Sequence, residues 1–364
     1  MKANSVVDSL ALLDKVIPGR PLDPIMGNIE FSPDAEGLAA RAVSASVDLS
    51  LRLERVEVYD SGEPEPFLIP TTVLTKLTRS LGDAEATLAF DGEGLSIVAG
   101  SFQTRLRAIK AKLPARPEGD PRDTAEEVLV LGRNLAQAIQ RVVHAAATED
   151  YRGALTGIEL GQSGGDLWAV ATDGFRLAVQ HVPQVRTADF KVLIPAESVG
   201  VLLKFLALSG PDEIAGLYPG RNGVRLELAA GSIWLAAREG MLPEWRRVIP
   251  DTPQQTLTVE ALALKKALER ALILSDPETC RVDVCPSGNY IVVSTETGTA
   301  KGSEPVPASG PAAPGFSING KYLRAALTPI DGPVTLGLSG PLAPIRIEAV
   351  DDPGYTAVVV PLRV

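Results

Sequence analysis

The stretch VLIPAESVGVLLKFLALSG, Val192 to Gly210, decides how this chain is read. A short β-like run ends in Ile194, and Pro195 follows at a helix start. Proline suits that position because its fixed φ and missing N–H cost nothing in a first helical turn. Apolar residues then recur at helical spacing. The same junction occurs twice more, as FLIPTTVLTKLTRSLG from Phe67 and FSINGKYLRAALTPIDG from Phe316. Anchored on Ile69, Ile194 and Ile318, the repeats are offset by 125 and 124 residues. Self-similarity at a fixed period is the signature of a repeated architecture.

The surroundings repeat as well. ATLAFDGEGLSIVAGSFQTRLRAI, IAGLYPGRNGVRLELAAGSIWLAA and VTLGLSGPLAPIRIEAVDDPGYTAVVV each read as three alternating strands joined by Gly/Asp/Pro turns. Each unit opens with an amphipathic helix, SVVDSLALLDKVI, GRNLAQAIQRVVHAAA or EALALKKALERALIL, and strand-rich hairpins follow. The expected unit is therefore helix, strands, helix, strands, itself close to a doubled motif. Joints rich in Pro, Gly and acid, KLPARPEGDPRDTAEE and PDTPQQTLT, set three α+β domains at 1–116, 122–250 and 251–364.

Bulk composition bounds the function. At 364 residues the chain exceeds what one core usually serves. With 45% hydrophobic and 22% charged residues it reads as an ordinary folded protein. Two cysteines, Cys280 and Cys285, make no disulfide framework and favour a reducing cytoplasm. With only His144 and His181 beside them, no zinc-spaced ligand set can be assembled, so no metal and no cofactor is expected. The first residues, MKANSVVDSL, have no apolar core of a signal peptide, and no run approaches the length of a membrane span. No GxxxxGK[ST] occurs, so nucleotide binding is not expected either.

The net charge of −10 argues at first against nucleic acid, but its distribution reverses the argument. The six expected helices, 5–16, 70–81, 132–147, 195–208, 260–274 and 319–329, together carry +6, which leaves −16 on the rest. The cations keep to one side of their helices: Lys76 with Arg79, Arg133 with Arg141, Lys266 with Arg270, Lys321 with Arg324, and Lys204 on the fourth. On one helix that is an ordinary solvated face. On four of six, against an acidic remainder, it points to a shared surface that attracts phosphate. No recognition helix or stacking platform accompanies it, so contact is expected with the backbone of the nucleic acid and not with bases.

At this point the residues match a known family. The chain resembles the bacterial beta sliding clamps, the processivity subunits of DNA polymerase III. The resemblance covers the whole length and is carried by ATDGFRLAV (Ala171–Val179), GMLPEWRRVIP (Gly240–Pro250), GRPLDPIMGNIEF near the start and the terminal VVVPLRV. It implies a chain of three clamp-fold domains that forms a head-to-tail homodimer. Six domains then close a ring around duplex DNA, with two helices per domain on the inner face and antiparallel sheets outside. A lining of scattered cations without base contacts permits sliding. Arg20, in a loop at the inner rim, joins the helix cations as DNA-facing. The implied dimer interface lies near Leu106 on one side and Ile273 and Leu274 on the other. Implied partners are double-stranded DNA and polymerases, clamp loader and repair proteins that carry a short clamp-binding peptide; no membrane is expected.

The Asp173-Gly174 pair has three readings. As a catalytic acid, in a hydrolase, Asp173 wants a second titratable partner and a positioned nucleophile, and neither His nor Cys lies nearby in sequence. As turn chemistry, Asp-Gly between strands is the ordinary hairpin signal. By resemblance, the hairpin also lines a hydrophobic cleft for the partners' peptide. Carried across by matching motif, that cleft comprises Leu155, Thr172, Gly174, Phe175, Arg176, Leu177, Pro243, Arg247 and Val248, with Leu342, Pro344, Val358, Val360, Pro361, Leu362 and Arg363 from the last domain. Most of these apolar residues would serve equally as core; Phe175, following a glycine turn, suits a core least. An apolar pocket rimmed by arginines can bury Leu or Phe anchors, each worth roughly 1.5–3 kcal/mol. The chain departs from the family at Phe175, where histidine is common, and in the ending PLRV, so its peptide preference should differ. A peptide-binding scaffold of the same repeat that does not engage DNA is the remaining alternative.

Overall fold

The computed structural model describes residues 3–21, 23–34, 37–53, 57–58, 65–81, 87–90, 93–115, 120–182 and 189–363. Six consecutive segments follow one plan, a helix and three antiparallel strands, preceded in all but the first by a short strand. The first runs α1 (Ala3–Asp14), β1 (Asn28–Asp34), β2 (Gly37–Val43) and β3 (Val47–Leu53), ending in the two-residue β4 (Glu57–Val58). The second is β5 (Phe67–Pro70), α2 (Thr71–Leu81), β6 (Thr87–Phe90), β7 (Gly94–Ala99) and β8 (Phe102–Arg107). The third is β9 (Val128–Leu131), α3 (Gly132–Val142), β10 (Gly157–Ser163), β11 (Asp166–Thr172) and β12 (Arg176–Val182). The fourth is β13 (Phe190–Pro195), α4 (Val199–Leu206), β14 (Ile214–Pro219), β15 (Gly223–Leu228) and β16 (Gly231–Ala236). The fifth is β17 (Gln255–Glu260), α5 (Ala261–Leu274), β18 (Arg281–Ser287), β19 (Tyr290–Glu296) and β20 (Lys301–Ser309). The sixth is β21 (Phe316–Asn319), α6 (Gly320–Leu327), β22 (Pro333–Leu338), β23 (Ile345–Ala349) and β24 (Tyr355–Val359).

All six expected helices form, with ends that differ from the expected ones by up to five residues. Expected to reach residue 147, α3 stops at Val142 and tightens into a 3-10 turn, Val143–Ala145, closed by Ala146 N–H to Val143 O at 3.2 Å. The turn Ala196–Ser198 likewise precedes α4. Sequence periodicity sets which face is covered. In α5, Ala261, Leu264, Leu268 and Ala271 are buried while Lys266 and Arg270 are exposed. In α2, Thr71, Leu74, Thr75 and Thr78 are buried, and the hydroxyls of Thr75 and Thr78 donate to the carbonyls four residues back, at 2.8 and 3.0 Å. That satisfies polar atoms which burial would otherwise penalise. Helix α6 begins where Asn319 accepts hydrogen bonds from the N–H groups of Lys321 and Tyr322, at 3.0 and 3.3 Å, the ordinary N-cap arrangement.

The chain forms two compact units. One is built chiefly from Met1–Ala136 and Glu197–Ala237 and contains two sheets, β5-β1-β2-β3-β16-β15-β14-β9 and β4-β6-β7-β8. Its aromatic core stacks Phe67 between Phe31 and Phe90, with centroids 5.4 and 3.7 Å away. The other is built chiefly from Gln137–Gln184, Ala188–Ala196 and Arg238–Val364 and holds one twelve-stranded sheet, β13-β10-β11-β12-β24-β23-β22-β17-β20-β19-β18-β21. The middle repeat thus contributes its β10–β12 hairpins to one unit and its β14–β16 hairpins to the other. In each unit a strand of the middle repeat pairs with a strand of a neighbouring one: β16 with β3, and β12 with β24. Among the described residues every pairing is antiparallel except β4 with β6. Among the described residues no helix is long and apolar enough to cross a membrane, and no cluster of three His, Cys, Asp or Glu could hold a metal ion.

Candidate functional site

The turn joining β11 to β12 is built by Asp173. Its Oδ1 accepts the backbone N–H groups of Phe175 and Arg176, both at 2.9 Å, and its Oδ2 accepts Arg176 Nε–H at 3.0 Å. Thr172 completes the turn: its hydroxyl donates to Arg176 O at 2.7 Å and accepts Gly174 N–H at 3.1 Å. Gly174 sits at φ +86°, a left-handed conformation that a side chain would oppose. An Arg152 guanidinium nitrogen donates to Asp173 O. The carboxylate is therefore turned inward and committed to the backbone it organises, which is the work of an Asx turn. With Asp173 holding the bend, Phe175 is pushed outward and is 53% exposed.

Beneath the turn lies a buried cluster of Trp168, Val170, Leu177, Val179, Leu193, Leu242, Trp245 and Val358, with Ala154, Leu155 and Ile249 packed on it. Above it opens a cavity of about 240 Å³ lined by Thr172, Gly174, Phe175, Arg176, Leu177, Pro243, Trp245, Val248, Val358 and Val360. Nine of these ten are residues that the resemblance placed in the cleft. Two of its three stretches meet because β12 pairs with β24, Leu177 opposite Val358, and Val360 N–H reaches Phe175 O at 2.9 Å; the third is seated by Leu242 and Trp245 in the buried cluster. The remaining cleft candidates do not line the cavity. Leu155 packs into the cluster, Pro361 is buried, and Leu362 is half-buried with its N–H on Ser317 O at 2.7 Å. Arg247, Leu342 and Arg363 are exposed, and Pro344 is half-buried.

Sequence reasoning missed Trp245. Its signal was present, since it stands between Pro243 and Val248 and the intervening residues coil into a single 3-10 turn, Trp245–Val248. A second, polar cavity of about 270 Å³ was missed entirely; it shares Phe175 and Arg176 with the first and adds Glu149, Tyr151, Arg152 and Tyr322. Arg176 is fixed there from two sides, by Asp173 and by the Tyr322 ring 4.3 Å from its Cζ. Burial raises the Tyr322 phenol above its ordinary pKa, and the charge of Asp173 adds to the shift.

The model of the DNA polymerase III beta subunit central domain matches residues 130–243. A beta sliding clamp of Synechococcus elongatus is 24% identical over 100% of this chain and 98% of its own. One from Escherichia coli strain K12 is 26% identical over 95% and 94%. The Pseudomonas aeruginosa DNA polymerase III subunit beta solved with griselimycin bound superposes with a TM-score of 0.90 at 22% identity, covering 100% of this chain and 98% of that one. Along its whole length the chain is thus similar to the beta sliding clamps.

The helix cations differ in how they are held. Arg20, Lys76, Lys204, Lys266 and Lys321 are exposed. Lys204 lies beside Lys15, whose hydrogen bond and charge lower its pKa. Arg79 pairs with Asp14 at 3.3 Å, Arg133 with Asp212 at 3.4 Å, Arg270 with Glu304 at 2.7 Å and Arg324 with Glu269 at 3.9 Å. Pairs this exposed contribute little to stability and exchange readily for another anion. Arg141 is different: half-buried, it is ion-paired with Asp352 and donates to Gln180 Oε1 at 3.0 Å. Its charge is spent on tying α3 to the turn before β24.

The residues assigned to the dimer interface are apolar and accessible to different degrees. Leu106 is half-buried on β8, the last strand of its sheet, with Phe102 and Ile109 exposed nearby. Ile273, at the end of α5, is 80% exposed, while Leu274 folds over Gly302 and is half-buried.

Proposed function

We propose that this chain is a sliding clamp: two copies close head to tail around duplex DNA and tether polymerases and other DNA-processing proteins through the cleft at Phe175. It acts in the cytoplasm by enclosure and tethering, with no catalysis of its own and no cofactor. The observation that carries the reading is the sixfold recurrence of one helix-and-hairpin segment, with exposed cations on its helices in an otherwise acidic chain. Such a chain supplies three domains, at about 1–116, 122–250 and 251–364, and their helices can share one phosphate-attracting surface. Arg20 and the exposed helix cations would meet the DNA without reading sequence. Unpaired strand edges favour a heterologous contact that closes, with Leu106 of one copy near Ile273 and Leu274 of the next.

The cleft suits a short peptide with apolar anchors. Its floor is preformed by a buried core, and anchors worth roughly 1.5–3 kcal/mol each, less ordering costs, give affinities that allow partners to exchange. The deciding experiment compares retention on closed circular and linear DNA at one salt concentration. A clamp loaded on the circle stays and runs off the linear form; equal retention on both overturns enclosure. Light scattering supplies the companion test, with a dimer mass expected and a stable monomer at micromolar concentration contrary. A peptide-binding scaffold that ignores DNA would be unaffected by charge reversal at Lys76, Arg79 and Arg133, whereas the clamp loses retention.

A further inference from the structure

Strand β20 is covered along only part of one side. Among the described residues β17 pairs with it at Ala308 and Ser309, and from Lys301 to Pro307 that side carries no strand. An antiparallel ladder turns alternate residues towards and away from the neighbouring strand. Ala308 N–H reaches Asn289 O at 2.9 Å, so the β19–β20 register directs Val306, Glu304 and Gly302 to β19. Pro307, Pro305, Ser303 and Lys301 therefore face the open side. Both prolines stand where a backbone donor would meet an incoming strand, and proline has none to give. Outward prolines blunt a sheet edge. Here the blunting is partial, because Ser303 and Lys301 still donate and all four carbonyls accept.

Strand β8 is an edge without that restriction. Ala108 N–H reaches Glu93 O at 3.0 Å, which by the same alternation turns the backbone groups of Gln103, Arg105 and Arg107 outward. The Arg105 guanidinium is engaged by Glu93 at 3.6 Å, which leaves the direction of its backbone unchanged. Set antiparallel, the two edges exchange most bonds with Arg107 opposite Lys301, Arg105 opposite Ser303 and Gln103 opposite Pro305. Each arginine then makes two bonds and Gln103 makes one. The same register sets Leu106 opposite Gly302, which Leu274 covers so closely that a Cβ there would stand 2.6 Å from its Cδ1. Lys301 is held by Glu296 at 2.7 Å, which offsets its approach to Arg107. Slid by two residues, so that Gln103 faces Pro307 and Arg105 faces Pro305, the ladder loses one bond more.

Resting on the reading that two copies close head to tail, we propose that the prolines of β20 regulate that closure: Pro305 limits its strength and Pro307 disfavours its slipped register. The copies then join in one register, through a ladder one bond short of complete.

The test uses the full-length chain and reads the dimer dissociation constant by dilution in sedimentation velocity. Pro305→Val restores one bond per interface, about three- to tenfold, and a ring has two interfaces, so the constant should fall about ten- to a hundredfold. Ser303→Pro removes one bond and should raise the constant by a similar factor. Pro307→Val lies beyond Gln103 in the preferred ladder and should change it less than about threefold. Register is read by oxidative cross-linking of mixed copies in a Cys285→Ser background. Thr104→Cys against Glu304→Cys reports the expected register, and Leu106→Cys against Glu304→Cys the slipped one. The first pair should link faster, and Pro307→Val should bring the second up to it. A dimer whose constant ignores either Pro305→Val or Ser303→Pro, or whose slipped pair links faster, overturns this inference and leaves the clamp reading standing. A stable monomer at micromolar concentration overturns both.

Discussion

Replacing Asp173 separates turn-building from every other role it could have. Its side chain is 8% exposed and makes three hydrogen bonds, two to backbone N–H groups and one to Arg176, itself 15% exposed. Asp173→Asn keeps an oxygen for both N–H groups and loses only the charge-assisted bond, a cost of about 1–2 kcal/mol. Asp173→Ala removes all three and leaves a largely buried guanidinium without its partner, a cost of about 3–5 kcal/mol. Native-state hydrogen exchange reads the cost locally, which matters in a chain of several domains whose global unfolding is not two-state. Protection of the Phe175 and Arg176 amides should fall roughly tenfold in the Asn variant and at least a hundredfold in the Ala variant. Peptide affinity should fall in the same order, because the turn carries five residues of the cavity lining. Wild-type protection in Asp173→Ala would refute the assignment, and an enzymatic activity lost in Asp173→Asn but retained in Phe175→Ala would restore the catalytic reading.

Two further outcomes follow from the same region. His144 is half-buried against Tyr355, its Nε2 3.2 Å from the phenol, and desolvation of the ring lowers its pKa to about 4 from an ordinary 6.5. The unfolded chain therefore binds the proton first, so the neutral imidazole's contribution is complete above about pH 6.5 and is lost as pH falls towards 4. Between pH 7 and 5 wild type should lose on the order of 2 kcal/mol more local stability than His144→Gln, measured by native-state hydrogen exchange at the Tyr355 amide at each pH; parallel losses contradict this. Removing Val360 to Val364 should abolish peptide binding and leave dimer mass and DNA enclosure intact, and loss of the dimer would show that the tail serves assembly.

How much of this was legible depended on the range of the interaction. Helices and hairpins follow from local periodicity, and α2, α5 and α6 begin within a residue of where the spacing puts them. The Asp-Gly turn was legible as a turn because its chemistry lies within five residues. The pairing of β12 with β24, which brings Val358 beside Leu177, spans most of two repeats, and no spacing rule encodes it; the motif resemblance supplied those residues instead. Arg141 shows the opposite failure. On the helix it is one more cation in a row, and only the folded chain reveals Asp352 beneath it. Trp245 is both core and cavity lining, 4% exposed, a double placement that spacing along the chain does not encode.

The β12–β24 ladder also dictates the order in which the groove can assemble. The turn at Asp173 closes through contacts within four residues, whereas Leu177 must find Val358 across a long loop of chain. Local closure is fast and distant closure slow, so on refolding the turn is made early and the groove gains its second bank late. Until the two strands pair, the outward-facing Phe175 lacks its neighbour, and any groove function should return after the turn itself has formed.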